Sequence, residues 1–209
     1  MTGSDTAEKS VTDTGNTKQE TAQARRAMIK SQLRTSGVNE EFVLLRMMDV
    51  ARETFLPEAR QPLAYTDRSI ELEGGAIAPP VFYGKALQEA YPVSDDRMLV
   101  VEGGTGYLAA LARPLVKSLD TVSAAQAAGG EVSGSYSLIM IDGAIEQLPD
   151  ALVDCLDEGG RIVSGLLLRR VTRLASGRKV AGAVALQPVE DLGIPVLAAF
   201  DTPKKWSFS

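Results

Sequence analysis

The stretch MLVVEGGTGYLAALARPL, residues 98–115, decides the fold. It opens with the apolar run Met98–Val101, which is typical of a buried strand, and it closes with Leu108–Leu115, whose alanines and leucines favour a helix. The glycines between them let the backbone approach a ligand, and a helix start offers free N–H groups. This order predicts a nucleotide-cofactor loop. A plain tight turn that requires positive φ explains the same glycines, so both interpretations stay open.

Further strand and helix patterns follow the glycine turn. Ser137–Ile141 (SLIMI) predicts a second buried strand, and an acidic helix is expected at Glu146–Leu156. A glycine turn then leads into a strand at Ile162–Val163. Tandem strand–helix–strand units predict an α/β protein with a mostly parallel, doubly wound sheet. The segment Leu168–Phe208 alternates weakly and suits antiparallel strands.

The chain before residue 98 divides into a polar tail and a helical part. Met1–Thr21 has too few apolar residues to offset the entropy of ordering it, which predicts a disordered tail. Helices are expected at Ala22–Arg34, after Asn39 as N-cap, and near Val81–Ala90. The expected division is therefore a tail, 1–21, and a single domain, 22–209, made of a helical part, 22–92, and a sheet part, 93–209.

Composition excludes several classes of site. Histidine is absent, which removes Ser-His-Asp hydrolysis and histidine metal sites, and the single Cys155 rules out a cysteine-cluster metal site. The formal net charge of -5 gives no overall attraction to nucleic acid or anionic membranes. No apolar run approaches the roughly 18 residues of a membrane span, and a secretory signal pattern is missing. These features predict a soluble, cytoplasmic protein.

Charge is divided between two neighbouring segments. Asp142–Glu158 contains six acids and no base, and Gly159–Val189 contains six bases and no acid. The second segment predicts either a basic face for an anionic partner or a solvated hairpin attracted to the acidic helix. Aromatic residues for base stacking are missing from it, which disfavours single-stranded nucleic acid. The role of the basic residues at 161–179 stays open.

Four stretches resemble protein-L-isoaspartate O-methyltransferases, which repair damaged aspartyl residues with S-adenosylmethionine. They are ARRAMIKSQLRTSGV (24–38), ARETFLPEARQPLAYTD (51–67), VVEGGTGYLAALA (100–112) and YSLIMIDGAIEQLPDALVDCLDEGGRIV (136–163). The resemblance implies a Rossmann-like methyltransferase fold, S-adenosylmethionine as cofactor, and isoaspartyl-containing proteins or peptides as substrates.

The same resemblance implies the site residues. Gly104 and Gly106 would hold the methionine end of the cofactor, with Glu102 and Asp142 at the ends of the two central strands as further contacts. Asp142 can equally be a turn or N-cap residue. Glu102 either replaces the first loop glycine or is the family's strand-end acid beside a two-residue deletion. No catalytic residue is assigned.

The segment GGAIAPP, Gly74–Pro80, departs from the family's substrate loop. The family's sequence there is GQTISQP, whose hydroxyls and amides orient the isoaspartyl carboxylate. Ala76 and Ala78 stand where the hydroxyls would be. Losing a positioning hydrogen bond can cost orders of magnitude in rate. We therefore expect a loop that packs and has no catalytic role.

The segment between the glycine-turn helix and Ser137 is short. About twenty residues follow Lys117, whereas a strand–helix–strand unit needs roughly thirty or more. We expect at most one strand, at Ser118–Ser123, then a small-residue loop, Ala124–Ser135. The deletion would trim one sheet edge and leave Met98–Val101 paired with the SLIMI strand. It would also remove much of the adenosine wall and the ribose-binding acid.

Three functions follow from these features. The first is methyl transfer from S-adenosylmethionine to isoaspartyl carboxylates, weak or lost through the departures above. A carboxylate is ionised at neutral pH and needs no general base, so the lack of histidine does not exclude it. The second is a non-catalytic family member that acts as a binding or scaffold protein. The third, another nucleotide binder, is disfavoured because alanines stand about 20 residues on, where a ribose-binding acid is expected.

Overall fold

In the described part of the chain, nine strands form one large sheet and one small hairpin. The computed structural model describes residues 19–202. Its strands are β1 Ile70–Leu72, β2 Gly75–Ile77, β3 Arg97–Glu102, β4 Ser118–Ser123, β5 Tyr136–Ile145, β6 Leu156–Leu168, β7 Val171–Val180, β8 Ala183–Val184 and β9 Gln187–Asp191. The large sheet has the order β4-β3-β5-β6-β7-β8, and β9 also pairs with β7. Strands β4, β3, β5 and β6 are parallel, and β7, β8 and β9 pair antiparallel, which confirms the predicted architecture.

The helices cover both faces of this sheet. They are α1 (19–33, ending in the π-helical turn Ile29–Leu33), α2 Glu41–Asp49, α3 Pro80–Ala90, α4 Tyr107–Ala112, α5 Ala124–Ala128 and α6 Asp150–Cys155, with 3₁₀ turns at Arg52–Phe55, Glu58–Leu63, Arg113–Leu115 and Ala198–Phe200. Among the described residues, none of these helices has the length and apolar character needed to span a membrane.

Three helix boundaries differ from the prediction. Helix α1 already contains residues 19–21, which the sequence assigned to the tail, and residues 1–18 lie outside the described part. Helix α2 is preceded by Glu40 rather than Asn39, whose N–H donates instead to Gln88 Oε1 at 3.0 Å. The acidic helix is only α6, because β5 runs on to Ile145 and Pro149 precedes the first helical residue.

Strand β3 is the centre of the molecule because both of its faces are apolar. Met98 and Val100 belong to one buried cluster, and Leu99 and Val101 belong to the other. Successive side chains of a strand point to opposite faces, so four consecutive apolar residues fill both layers. Met98 pairs with Leu138 and Val101 with Ile141, which confirms the predicted pairing of these two strands.

The shortened segment forms one strand and one short helix. Strand β4 has the predicted bounds and lies at the sheet edge, where it pairs with β3. The predicted loop Ala124–Ser135 is wrong over its first five residues, which form α5. Ser123 Oγ accepts from the Gln126 N–H, and the Gln126 side chain accepts from the Ser123 N–H. This capping box was readable in the sequence as Ser-x-x-Gln.

A polar triad joins two of the stretches that carried the family resemblance, residues 24–38 and residues 51–67. The Arg25 guanidinium donates to the Tyr65 hydroxyl at 2.7 Å and to the Glu53 carboxylate at 2.9 Å. Tyr65 also donates to Glu53. Burial raises the pKa of Glu53, but the hydrogen bond from Tyr65 and the Arg25 charge outweigh it and leave that pKa below its ordinary value. These residues therefore fix α1 against the loop that follows α2.

Most cations of the basic segment, Gly159–Val189, form hydrogen bonds or ion pairs with other groups of the chain. Arg161 donates to both carboxyl oxygens of Asp96, and Arg173 pairs with Asp191. Arg178 donates to the carbonyl of Gly159, and Lys179 donates to the carbonyls of Val153 and Leu156. Four of the six cations are thus engaged locally, which favours the hairpin interpretation over a basic face for a partner.

Candidate active site

The last side chain of β3 forms a hydrogen bond with the glycine turn that follows this strand. Gly104 and Gly106 have φ angles of 106° and 73°, which glycine adopts without strain. The Glu102 carboxylate accepts a hydrogen bond from the Gly106 N–H at 3.0 Å. Burial raises the pKa of Glu102, and this hydrogen bond and Arg113 oppose the rise. Glu102 therefore satisfies a backbone N–H at the start of α4 from within the chain.

Gly103 is the most tightly packed residue of the turn. An added Cβ would lie 2.2 Å from the Asp142 carbonyl oxygen. The loop Gly74–Pro80 also closes on the turn, because a Cβ on Gly75 would lie 2.3 Å from the Gly103 carbonyl oxygen. The Ala76 N–H donates to that same oxygen at 3.3 Å. Here the close approach that glycine permits is made by another loop of the same chain.

The loop Gly74–Pro80 is held by its backbone and has no polar side chain. Ala76, Ile77 and Ala78 are buried. Arg52 Nη2 donates to the Ala78 carbonyl, and the Ala78 N–H donates to the Tyr83 hydroxyl at 3.1 Å. The loop packs against the protein, as the sequence predicted.

Three of the four predicted cofactor residues line one open groove. Glu102, Gly104 and Gly106 border a volume of about 460 Å³, together with Ala109, Ala110, Arg113 and Thr121. This groove runs along α4 beside the edge strand β4. Asp142, the fourth predicted residue, does not line it. Its backbone lies against Gly103, and its side chain is buried.

The end of β4 offers no acid to a ribose. Its last residue is Ser123, whose hydroxyl caps α5. Asp120 lies earlier in the strand, and its carboxylate accepts a hydrogen bond from the Tyr136 hydroxyl at 3.1 Å. The sequence lacks the family's ribose-binding acid at the end of this strand, and Asp120 does not replace it.

Asp142 belongs to a cluster of four buried side chains, here called the buried quartet: Arg52, Tyr83, Tyr107 and Asp142. The Arg52 guanidinium carbon lies 5.4 Å from the Tyr83 ring centroid and 5.2 Å from that of Tyr107. The two rings meet edge to face, 4.9 Å apart. Arg52 and Tyr107 are fully buried, and Asp142 is 2% exposed.

Burial dominates the acidity of Asp142. It raises the pKa of this carboxyl to about 7, and the nearby Glu102 charge adds to the rise. The Tyr83 hydroxyl and the Arg52 guanidinium act in the opposite direction. Neither carboxyl oxygen has a hydrogen-bond partner in the described part of the chain. Asp142 therefore loses its proton near neutral pH.

This shift makes the effect of Asp142→Asn on stability depend on pH. The folded protein holds the Asp142 proton more tightly than the unfolded chain, so wild-type stability falls as pH rises from about 4 to about 7. Three pKa units correspond to about 4 kcal/mol. We expect Asp142→Asn to match the wild type near pH 4 and to exceed it at pH 8 in urea unfolding.

A matched control is Asp95→Asn, which changes an exposed aspartate. Its stability should stay within about 0.5 kcal/mol of the wild type, as for ordinary surface substitutions. An Asp142→Asn protein that is less stable than the wild type at pH 8 would mean that the buried carboxylate is stabilising.

Sequence reasoning missed Arg52, Tyr83 and Tyr107. Arg52 and Tyr107 lie in stretches that resemble the family, and Tyr83 lies shortly after the loop Gly74–Pro80. An arginine that is 0% exposed cannot be distinguished from a surface arginine by its neighbours in sequence. The sequence indicates the burial of the two tyrosines only weakly, through the apolar faces of the helices to which they belong. Their grouping depends on tertiary contacts between α3, α4 and the turn Arg52–Phe55.

Comparison with known proteins gives a family and two sets of relatives. The family model described as protein-L-isoaspartate(D-aspartate) O-methyltransferase matches residues 23–127. A protein-L-isoaspartate O-methyltransferase of Herpetosiphon aurantiacus is 29% identical over 168 residues, covering 68% of this chain and 75% of the relative. One of Methanoculleus marisnigri is 27% identical over 203 residues, covering 84% and 92%.

Solved structures share the fold. A Plasmodium falciparum protein described as a protein-L-isoaspartate O-methyltransferase, in complex with S-adenosyl-L-homocysteine, superposes with a TM-score of 0.68 at 17% identity. The match covers 84% of this chain and 98% of that one. A second structure described as a protein-L-isoaspartate O-methyltransferase gives a TM-score of 0.65, covering 83% of this chain and 66% of that one.

Proposed function

Since the chain belongs to the protein-L-isoaspartate O-methyltransferase family, we propose that it is a divergent member whose methyl transfer to isoaspartyl carboxylates is weak or lost. The family uses S-adenosylmethionine as methyl donor. The observation that carries the proposal is the contact between Gly75 and Gly103, where the substrate loop lies directly on the glycine turn.

The reaction makes modest demands on protein side chains. The substrate carboxylate is already ionised at neutral pH, so no general base is required. The protein must bind and orient that carboxylate and exclude water around it. The loop Gly74–Pro80 would have to do this, and it has no hydroxyl or amide side chain. Its Ala76 and Ala78 N–H groups are bonded to Gly103 and Tyr83.

The residues present do not fit S-adenosylmethionine in this arrangement. The Gly106 N–H is bonded to Glu102, and the approach at Gly103 and Gly104 is filled by Asp142, Gly74 and Gly75. Strand β4 ends in a serine that caps a helix, so no acid there can hold a ribose.

A second candidate function is a non-catalytic binding or scaffold role. The loop Gly74–Pro80 and the glycine turn after β3 pack through glycine backbones that leave no space for a Cβ. This packing stabilises the closed form of the candidate site. A protein that keeps the fold but closes the site is suited to recognition by its surface. On this account isoaspartyl peptides and the methyl donor are not required partners.

Calorimetry with S-adenosylhomocysteine tests the proposal. We expect no heat of binding from the full chain at millimolar ligand, because the Gly106 N–H is already bonded to Glu102 and the backbone of Gly103 is already covered by Asp142 and Gly75. The Herpetosiphon aurantiacus relative, titrated under the same conditions, is the control. A micromolar dissociation constant for the present chain would contradict the proposal and support an intact methyl-donor site.

A further inference from the structure

Two layers of glycine backbone cover Asp142 on one side. A Cβ on Gly103 would lie 2.2 Å from the Asp142 carbonyl oxygen and 3.2 Å from its carboxyl carbon. A Cβ on Gly75 would in turn lie 2.3 Å from the Gly103 carbonyl oxygen. Gly74 and Gly104, at the outer side of this contact, are exposed. The glycine turn after β3 and the loop Gly74–Pro80, here together called the cover, therefore separate Asp142 from solvent on this side.

The outer layer of the cover is held by hydrogen bonds that can open without disturbing the large sheet. The Ala76 N–H donates to the Gly103 carbonyl at 3.3 Å. Arg52 Nη2 donates to the Ala78 carbonyl, and the Ala78 N–H donates to the Tyr83 hydroxyl at 3.1 Å. Strands β1 and β2, which carry this loop, pair with each other and with no strand of the large sheet. The loop can therefore lift while the central strands stay paired.

The charged and titratable groups around Asp142 come from four elements. Glu102 of β3 adds negative charge, and Arg52 adds positive charge. Burial raises the pKa of Tyr83 well above its ordinary value and that of Tyr107 to about 12, so both tyrosines keep their protons at neutral pH. Arg52 is the only buried arginine or lysine of residues 19–202. The two carboxyls are therefore the groups of this cluster that titrate below pH 8.

Ionisation of Asp142 opposes the closed form in two ways. In the described part of the chain, neither of its carboxyl oxygens has a hydrogen-bond partner, and a buried carboxylate without donors is costly. Its negative charge also competes with the Ala78 carbonyl for the Arg52 guanidinium, whose Nη1 has no partner among the same residues. Lifting the cover admits water to the carboxylate and releases Arg52 from the loop. Ionisation therefore favours the open form.

We propose that the cover is a pH-sensitive closure, which is closed while Asp142 is protonated and opens when Asp142 loses its proton. This inference rests on the closed site of the proposed function and adds its regulation. Opening gives the loop Gly74–Pro80 no polar side chain and leaves the Gly106 N–H bonded to Glu102. Opening by itself therefore does not supply the contacts that methyl transfer requires.

The direction of the pH effect follows from the two environments of this carboxyl. Burial gives Asp142 a pKa of about 7 in the closed form, and the pKa is about 4 where water reaches the carboxyl. The closed form holds the proton more tightly, so its advantage is complete below pH 4 and is lost as pH rises to about 7. Over that range the population of the open form rises about tenfold for each pH unit.

Hydrogen exchange of the full chain at pH 5 and pH 8 tests the proposal. The Ala76 and Ala78 amides report the cover, and the Val100 amide, in a strand paired on both sides, reports global unfolding. We expect both loop amides to exchange faster than Val100. Dividing their wild-type rates by those of Asp142→Asn cancels the intrinsic pH dependence of exchange. This ratio should be at least about tenfold larger at pH 8 than at pH 5.

The matched control is Asp95→Asn, whose loop amides should exchange at the wild-type rate at both pH values. If Asp142→Asn does not fold, the wild type alone decides, beside an unstructured peptide with the loop's sequence. Relative to that peptide, the protection of Ala78 in the wild type must fall at least about tenfold from pH 5 to pH 8.

Two results would overturn this inference and leave the proposed function standing. The first is exchange of the loop amides at the rate of Val100, which would make the opening global. The second is a ratio of wild type to Asp142→Asn that is the same at both pH values, which would assign any remaining pH effect to Glu102. Loop amides that are unprotected at both pH values would instead contradict the closed site, and the proposed function would fail with the inference.

Discussion

Gly103→Ala is expected to destabilise the protein by about 3 kcal/mol, near the upper end for adding a methyl group to a packed interior. The new Cβ would lie 2.2 Å from the Asp142 carbonyl oxygen, which is backbone and cannot rotate away. Strands β3 and β5 are both paired on two sides, so neither can shift to make room. Urea unfolding followed by circular dichroism measures the loss.

Gly193→Ala is the matched control for this substitution. A Cβ there meets no atom within 4 Å, and the residue is exposed. We expect a change within about 0.5 kcal/mol, as for ordinary surface substitutions. If Gly103→Ala does not fold, Gly75→Ala provides the test, since its Cβ meets the same turn from a loop that can lift. Stability of Gly103→Ala equal to that of Gly193→Ala would contradict the described contact.

Arg52→Met is expected to destabilise the protein by about 3–5 kcal/mol, the usual result of removing one partner from a buried charged cluster. Methionine fills a similar volume but leaves the Ala64 and Ala78 carbonyls without their donor. It also removes the positive charge that opposes the raised pKa of Asp142. The same unfolding assay applies.

The control for Arg52 is Arg60→Met, which makes the same change at an exposed arginine. Its effect should stay within about 0.5 kcal/mol. Similar losses in the two variants would show that Arg52 is not the residue that joins the loop Gly74–Pro80 to the Ala64 region.

The sheet could be predicted from sequence because its signal is local. Short apolar runs bounded by turn residues, such as Met98–Val101 and Ser137–Ile141, are typical of strands buried in a parallel sheet. The chain length between them limited the intervening segment to one strand, and Ser118–Ser123 is that strand. Helix α5 was missed because a run of small residues was interpreted as a loop, although Ser123 and Gln126 form a capping box.

The site could be predicted only in part, because its properties arise from contacts between distant segments. Gly104 and Gly106 do have the positive φ angles that a glycine turn implies. The closure of that turn by Glu102, and the contact of Gly75 with Gly103, depend on side-chain direction and on how two loops meet. The burial of Arg52 beside Asp142 has no sequence signal that would distinguish it from a surface pair.

Methyl transfer itself tests the central claim most directly. The measurement is transfer of a radiolabelled methyl group from S-adenosylmethionine to an isoaspartyl peptide by the purified full chain, beside the Herpetosiphon aurantiacus relative. Each lost positioning hydrogen bond costs about 1–3 kcal/mol, and 1.36 kcal/mol is a factor of ten in rate. We predict turnover at least about thirtyfold below the relative's, from the loss of two such bonds. Turnover comparable to the relative's would contradict the account and would mean that the loop Gly74–Pro80 lifts to admit both substrates.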